Sequence, residues 1–167
     1  MEVIEAIKTR RSIRKYKVES VPEEAVTTIL DCGRWAPSAG NRQPWKFIVV
    51  KDSELKKRLG RAFPAGAFVA DAPLAIAVVI DPAGSSHPVE DGAAATQNML
   101  LAAHALGLGS CWIGTYNSAN EATAKEVLGV PPEHRLLSVI AIGYPAESPT
   151  KIRKDLDQLT FTNRYGG

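Results

Sequence analysis

Val3, Ile4 and Ile7 recur at helical spacing and the pattern stops at Thr9, which predicts a short first helix ending just before the basic run TRRSIRKY. A second helix is predicted over SVPEEAVTTILDCGRW. There Ser20 and Glu23 have the spacing of a capping box, Pro22 suits a first turn, and Ala25, Val26, Ile29 and Leu30 share a face. APSAGNRQPW, dense in Pro, Gly, Ser and Asn, is a loop, and KFIVV after it reads as a buried strand. Residues 53–62 carry the pattern of a charged helix. PLAIAVVI at 73–80 is apolar throughout, as a strand covered on both faces would be. DPAGSSHP is the next loop. From Val89 to Leu106 an Ala-rich helix is predicted, closed by Gly107 and apolar nearly all round, hence buried in a domain centre or a subunit interface. GSCWIG is a short strand, and RLLSVIAIG is the last clear one. Between them SANEATAKEVLG is a helix with a second capping-box spacing, Ser118 and Glu121, that ends at Gly129.

After Tyr144 no helical period continues, yet Ile152, Leu156, Leu159, Phe161 and Tyr165 keep the tail apolar. Ordering such a tail costs entropy that only docking recovers. The alternation in QLTFT suits a strand added to a sheet edge, a partner's included. No repeat interrupts the chain, so residues 1–167 read as a single domain in which 144–167 form a C-terminal arm.

Composition excludes more than it assigns. The net charge is only +2, with 18 acids interleaved among 20 basic residues, so a general nucleic-acid surface is not expected. Cys32 and Cys111 lie far apart without a CxxC pair, and no histidine stands at metal-ligand spacing. The cysteines therefore read as reduced and buried, with no structural metal and no disulfide framework. The N-terminus lacks a signal-peptide core and no apolar run reaches membrane-spanning length, so the expected setting is cytoplasmic, with no membrane partner.

TRRSIRKY gathers Arg10, Arg11, Arg14 and Lys15 around Ser12. In an extended segment Arg10, Ser12 and Arg14 point one way and Arg11 and Ile13 the other, so two guanidinium groups and a hydroxyl converge in a manner suited to phosphate oxygens. A solvated basic turn at a helix exit accounts for the same charges. GLGSCWIG approaches a dinucleotide fingerprint but has Trp112 where glycine is required, and it follows a helix where that motif needs a strand; a Rossmann nicotinamide site is rejected. His87, His104 and His134 share no spacing, and His104 reads as a core or interface residue. Ser38 and Ser110 lack the context of a nucleophile elbow. Without an acid, base and nucleophile set, catalysis requires a cofactor that brings the reacting atoms.

RRSIRKY, APSAGNRQPWKFIVV, DGAAATQNMLLAAHALGLGSCWIG and IGYPAESPTKIR, in this order over nearly the whole chain, resemble the nitroreductase family of flavin mononucleotide (FMN) oxidoreductases, in a compact form. The resemblance implies an α+β fold with a central mixed or antiparallel sheet flanked by helices, in an intertwined homodimer whose C-terminal arms are exchanged. It also implies shared sites. Arg10, Arg11, Ser12 and Arg14 of one subunit would meet the flavin phosphate, ribityl chain and ring edge, and Pro37, Ser38, Ala39 and Asn41 of the other would close the pocket. The backbone of Ile113 and Gly114 would face flavin N5, with Lys151 and Arg153 near the phosphate. No side chain is assigned as acid or base, N5 being the reactive atom, with the Gly114 backbone and Arg14 as electrostatic support. One departure stands out: larger members carry polar flavin contacts before the second strand, where this chain has AGAFVADAP. The activity implied is ping-pong hydride transfer from NADH or NADPH through flavin N5 to a small acceptor such as a nitroaromatic or quinone. The alternative from another class is a flavin- or nucleotide-binding module, a sensor or carrier without turnover.

Overall fold

Four strands, β1 (Trp45–Val50), β2 (Leu74–Ile80), β3 (Gly109–Gly114) and β4 (Arg135–Gly143), form one sheet in the order β1-β2-β4-β3, every neighbouring pair antiparallel. The structure, a computed structural model, describes residues 1–167. Five helices accompany the sheet: α1 (Val3–Thr9), α2 (Glu23–Arg34), α3 (Ser53–Ala62), α4 (Pro88–Ala105) and α5 (Glu121–Leu128).

β2 is buried at every position because both of its faces are covered. Successive strand residues point to opposite sides. Leu74, Ile76, Val78 and Ile80 join Val26 and Ile29 of α2 and Ala95 and Met99 of α4 in one core. The smaller Ala75, Ala77 and Val79 face the other way, onto Leu59 of α3, Val69 and Ala124 of α5. The result is a helix–sheet–helix sandwich whose thicker side chains fill the α4 side. Gly92 lets α4 approach closely, since a Cβ there would lie 2.6 Å from both Ile80 Cγ2 and Leu137 Cδ2.

The strands and helices fall where the apolar pattern predicts, but neither capping box forms. Pro22 caps α2 without a side-chain bond, and Glu23 pairs with Lys51 instead. At α5 the cap is Asn120, again without a side-chain bond, while Glu121 turns inward to Arg135. In both cases a carboxylate finds a cation, a stronger partner than a neutral cap N–H. Mixed character in the sheet is limited to one parallel bridge, Ser12 to Ser110, beside β3.

Residues 64–70, a stretch not expected to be helical, form a 3-10 turn over the open end of β3. QLTFT forms no strand within the chain; the arm holds only a single turn, Leu156–Gln158. From residue 151 onward every position is exposed, Ile152 at 98% and Tyr165 at 92%. No helix is long and apolar enough to cross a membrane.

Candidate functional site

The basic run leaves α1 at Arg10, whose N–H still caps the helix by bonding to Ala6 O at 3.0 Å. Only from Ser12 onward is the segment held along β3. Ile13 N–H donates to Ser110 O at 3.0 Å, Lys17 N–H to Tyr144 O at 2.9 Å, and Ala146 N–H to Lys15 O at 2.9 Å. Ile13 is buried against Gly109, where a Cβ would come within 2.8 Å of its side chain. Tyr16 fixes the other end by donating its hydroxyl proton to Ile13 O, with Ala141 O 3.2 Å away as the second acceptor within reach.

This start changes which arginines meet. Strict alternation would unite Arg10 with Arg14 and separate Arg11. Instead Arg10 and Arg11 line one cavity of about 250 Å³, and Arg14 lines another of about 270 Å³. The reason is local: Arg10 belongs to the helix exit, so extended alternation begins two residues later.

The first cavity carries an excess of positive charge. Burial, then Arg153, then Arg11 press the Arg10 pKa below its ordinary value, so three guanidinium groups share one region. None of Arg10, Arg11, Arg14, Lys151 and Arg153 has a carboxylate in salt-bridge range. Glu147, which lines the same cavity, spends Oε1 on the backbone N–H groups of Arg14 at 2.6 Å and Lys15 at 3.3 Å. Arg11 is tethered by two bonds of 2.8 Å to Lys8 O and Arg10 O, whereas Arg10 has no side-chain partner. Lys151 is exposed and makes no side-chain bond. Half-buried positive charge without a counter-ion favours the approach of an anion.

The second cavity combines aromatic and aliphatic side chains with polar groups, Arg14 and Asn120 among them. Phe63, Ala65, Gly66 and Phe68 from the turn face Ile113 and Gly114 at the end of β3, and Arg14 lies 5.7 Å from the Phe68 ring centroid. Gly66 makes this possible, because a Cβ there would sit 3.0 Å from Ile113 Cγ2. Cys111, buried at the wall of this second cavity, has its thiol pKa raised by burial, while Arg14, the Ser12 hydroxyl and Arg10 pull it down.

Pro37, Ser38, Ala39 and Asn41 do not join these residues within one chain. Their loop turns through Gly40 and Asn41, both at positive φ, and is tied to the start of α4 by Ala39 N–H donating to Asp91 Oδ1 at 3.0 Å. The arginine cluster sits at the far end of the same helix, where Thr9 Oγ1 meets His104 Nε2 at 2.8 Å. Asp91 and His104 are separated by about 20 Å along α4 at the usual rise per residue.

A sequence model described as the Nitroreductase family matches residues 7–81 and 61–144. The chain belongs to the nitroreductase family. It is 48% identical over 153 residues to the Methanothermobacter thermautotrophicus protein named "Putative NADH dehydrogenase/NAD(P)H nitroreductase", covering 89% of this chain and 80% of that one. Two solved nitroreductase structures share the fold closely. The FMN-dependent nitroreductase of Clostridium difficile R20291 is 35% identical with a TM-score of 0.90, over 97% of this chain and 99% of that one. The Desulfovibrio desulfuricans protein described as "a putative nitroreductase in complex with fmn" is 37% identical with a TM-score of 0.89, over 99% and 98% of the two chains.

Relative to this nitroreductase frame, sequence reasoning missed His104, Glu147, Phe63 and Phe68 as cavity residues. His104 alone carried a signal, a polar residue in an otherwise apolar helix.

Proposed function

We propose that the chain is an FMN-dependent oxidoreductase that uses NADH or NADPH to reduce a small acceptor, a nitroaromatic or quinone by class, in a ping-pong cycle. The observation that carries this reading is the cluster of Arg10, Arg11 and Arg153, free of counter-charge, one strand residue away from the cavity lined by Phe63, Phe68, Ile113 and Gly114. A flavin mononucleotide has the matching chemistry, an anionic phosphate at one end and a flat ring at the other. Each cavity alone is smaller than the roughly 300–1,000 Å³ of ordinary ligand pockets, so the cofactor needs both, and further walls from elsewhere.

Arg10 and Arg11, with Arg153 from the arm, would hold the phosphate, and Ser12 the adjoining chain. Ile113, Gly114 and the Phe63–Phe68 turn would seat the ring. When bound, FMN supplies hydride and electron transfer at N5, chemistry that no side chain here provides. Arg14 would place fixed positive charge where the reduced ring carries negative charge, as preorganised charge does at other developing anions. Phe63 and Phe68 exclude water from that edge. Arg14 is the charged group that lines this cavity.

The remaining walls come from a second copy. Met1, Val3, Trp35, Leu101 and Ala102 border an open apolar groove of about 550 Å³, and the arm leaves Ile152, Leu156, Leu159, Phe161 and Tyr165 in solvent. An intertwined homodimer covers both, and it brings the Pro37–Asn41 loop of one chain to the arginines of the other. The test is anaerobic spectroscopy of FMN-loaded protein. NADH or NADPH should bleach the flavin and an added nitroaromatic or quinone should restore it, with parallel double-reciprocal lines in the steady state. Flavin binding without bleaching would instead favour a carrier or sensor.

A further inference from the structure

Thr9 and His104 bring a titratable ring to the edge of the arginine cluster. The Thr9 hydroxyl donates its only proton to Glu5 O at 2.7 Å, so its oxygen must accept from His104 Nε2 at 2.8 Å. This places the ring proton on Nε2. Nδ1 then has no protein partner: it is a lone pair in the neutral ring and an N–H donor in the protonated one. His104 is half-buried and shares its cavity with Arg10 and Arg11.

The charges around the ring come from several elements, the amino group of the N-terminal residue Met1, which lines the same cavity, among them. Burial is the largest influence lowering its pKa, Arg10 and Arg11 follow, and Glu5 of α1 pulls weakly the other way. From the arm side, Glu147 lines the same cavity but has Oε1 engaged by backbone N–H groups, and Arg153 adds positive charge through its effect on Arg10. With the arginines uncompensated, protonating His104 adds a further cation to a crowded region. A dianion lodged between them reverses that sign, since an opposite charge nearby favours the protonated ring.

We infer that His104 is a proton-coupled ligand of the phosphate held by Arg10 and Arg11: phosphate entry draws a proton onto Nδ1, and the new N–H binds the phosphate. This inference rests on the reading that the cavity holds the FMN phosphate, and it adds to that reading a third binding residue and a pH dependence. The stoichiometry is one proton taken from solvent per site filled, with no covalent change.

The experiment titrates FMN and riboflavin calorimetrically into wild-type protein, His104→Gln and Arg10→Ala, in buffers of differing ionisation enthalpy. Glutamine retains a donor for Thr9 but cannot be protonated. Wild type should take up more protons per FMN than His104→Gln near neutral pH, and riboflavin should show no such difference. The affinity advantage of wild type over His104→Gln should be about tenfold near pH 6 and vanish near pH 8. Imidazole nitrogen NMR of wild type supplies a second readout independent of any variant: His104 should be the neutral Nε2–H tautomer without FMN and imidazolium with it. Equal proton uptake by both proteins, or a ring that stays neutral with FMN bound, overturns the inference while leaving the phosphate site intact if Arg10→Ala still weakens FMN. If FMN and riboflavin bind alike and neither variant changes FMN affinity, the phosphate reading fails and this inference with it.

Discussion

Arg10→Ala tests the proposed phosphate contact in isolation. Arg11 has already committed one guanidinium nitrogen to Lys8 O and Arg10 O, and Arg153 is exposed, so solvent screens it. Arg10 is the guanidinium whose pKa is depressed chiefly by burial and whose side chain has no partner. It is therefore the donor with most to gain from a phosphate. Charge-assisted bonds contribute about 1.5–3 kcal/mol, and a bidentate fork lies at the upper end, so its loss should weaken FMN about 100-fold. Riboflavin, which lacks the phosphate, should bind within about twofold of wild type. The unliganded variant should melt no lower than wild type, because the substitution removes like-charge repulsion with Arg11 and Arg153 and breaks no hydrogen bond. Flavin fluorescence titration measures the affinities, and differential scanning calorimetry the stability. An equal loss for FMN and riboflavin, or an unchanged FMN affinity, would refute the placement of the phosphate at Arg10.

Two further predictions concern the scaffold that holds the site. Glu121 is 6% exposed and accepts from Arg135 through two bonds of 2.7 Å, from Asn117 N–H at 2.9 Å and from Leu136 N–H at 3.1 Å. Glu121→Ala leaves Arg135 without its carboxylate and should cost about 3–5 kcal/mol in urea unfolding. Burial alone would raise the Glu121 pKa, but these bonds outweigh it and hold the carboxyl below its usual value. Its contribution to stability is then fully present above the unfolded pKa of about 4.3 and is lost as pH falls through the lower folded value, a slope that Glu121→Ala should abolish. Gly92→Ala forces a methyl group against Ile80 and Leu137 and should destabilise by about 1–3 kcal/mol in urea unfolding.

The strands were legible because their apolar runs are long and pure: PLAIAVVI and RLLSVIAIG have no helical period to compete with. The same local reading misplaced both capping boxes, since Lys51 and Arg135, which take Glu23 and Glu121, are 28 and 14 residues away in sequence. It also grouped Arg10 with Arg14, because the cap bond from Arg10 to Ala6 extends α1 by a residue that composition does not mark. The basic run offered either an anion site or a solvated turn, and the structure leaves Arg10 half-buried without a carboxylate in salt-bridge range. His104 stayed hidden because its partner Thr9 lies 95 residues away, across the join between two helices. The loop at Pro37–Asn41 was visible as a loop, but its distance from the arginines emerges only once α4 is seen to run between them.

That distance makes subunit mixing the most direct measurement. Arg10→Glu and Asn41→Trp should each abolish tight FMN binding in their own homodimers. When equal amounts are denatured together and refolded, about half the dimers are mixed, and in each of these one site carries both lesions and the other carries neither. Titration with FMN should then find roughly a quarter of all sites restored to wild-type affinity and to NAD(P)H-dependent bleaching. If no site in the mixture exceeds those of the parent variants, the pocket is built within a single chain and the shared-site account is wrong.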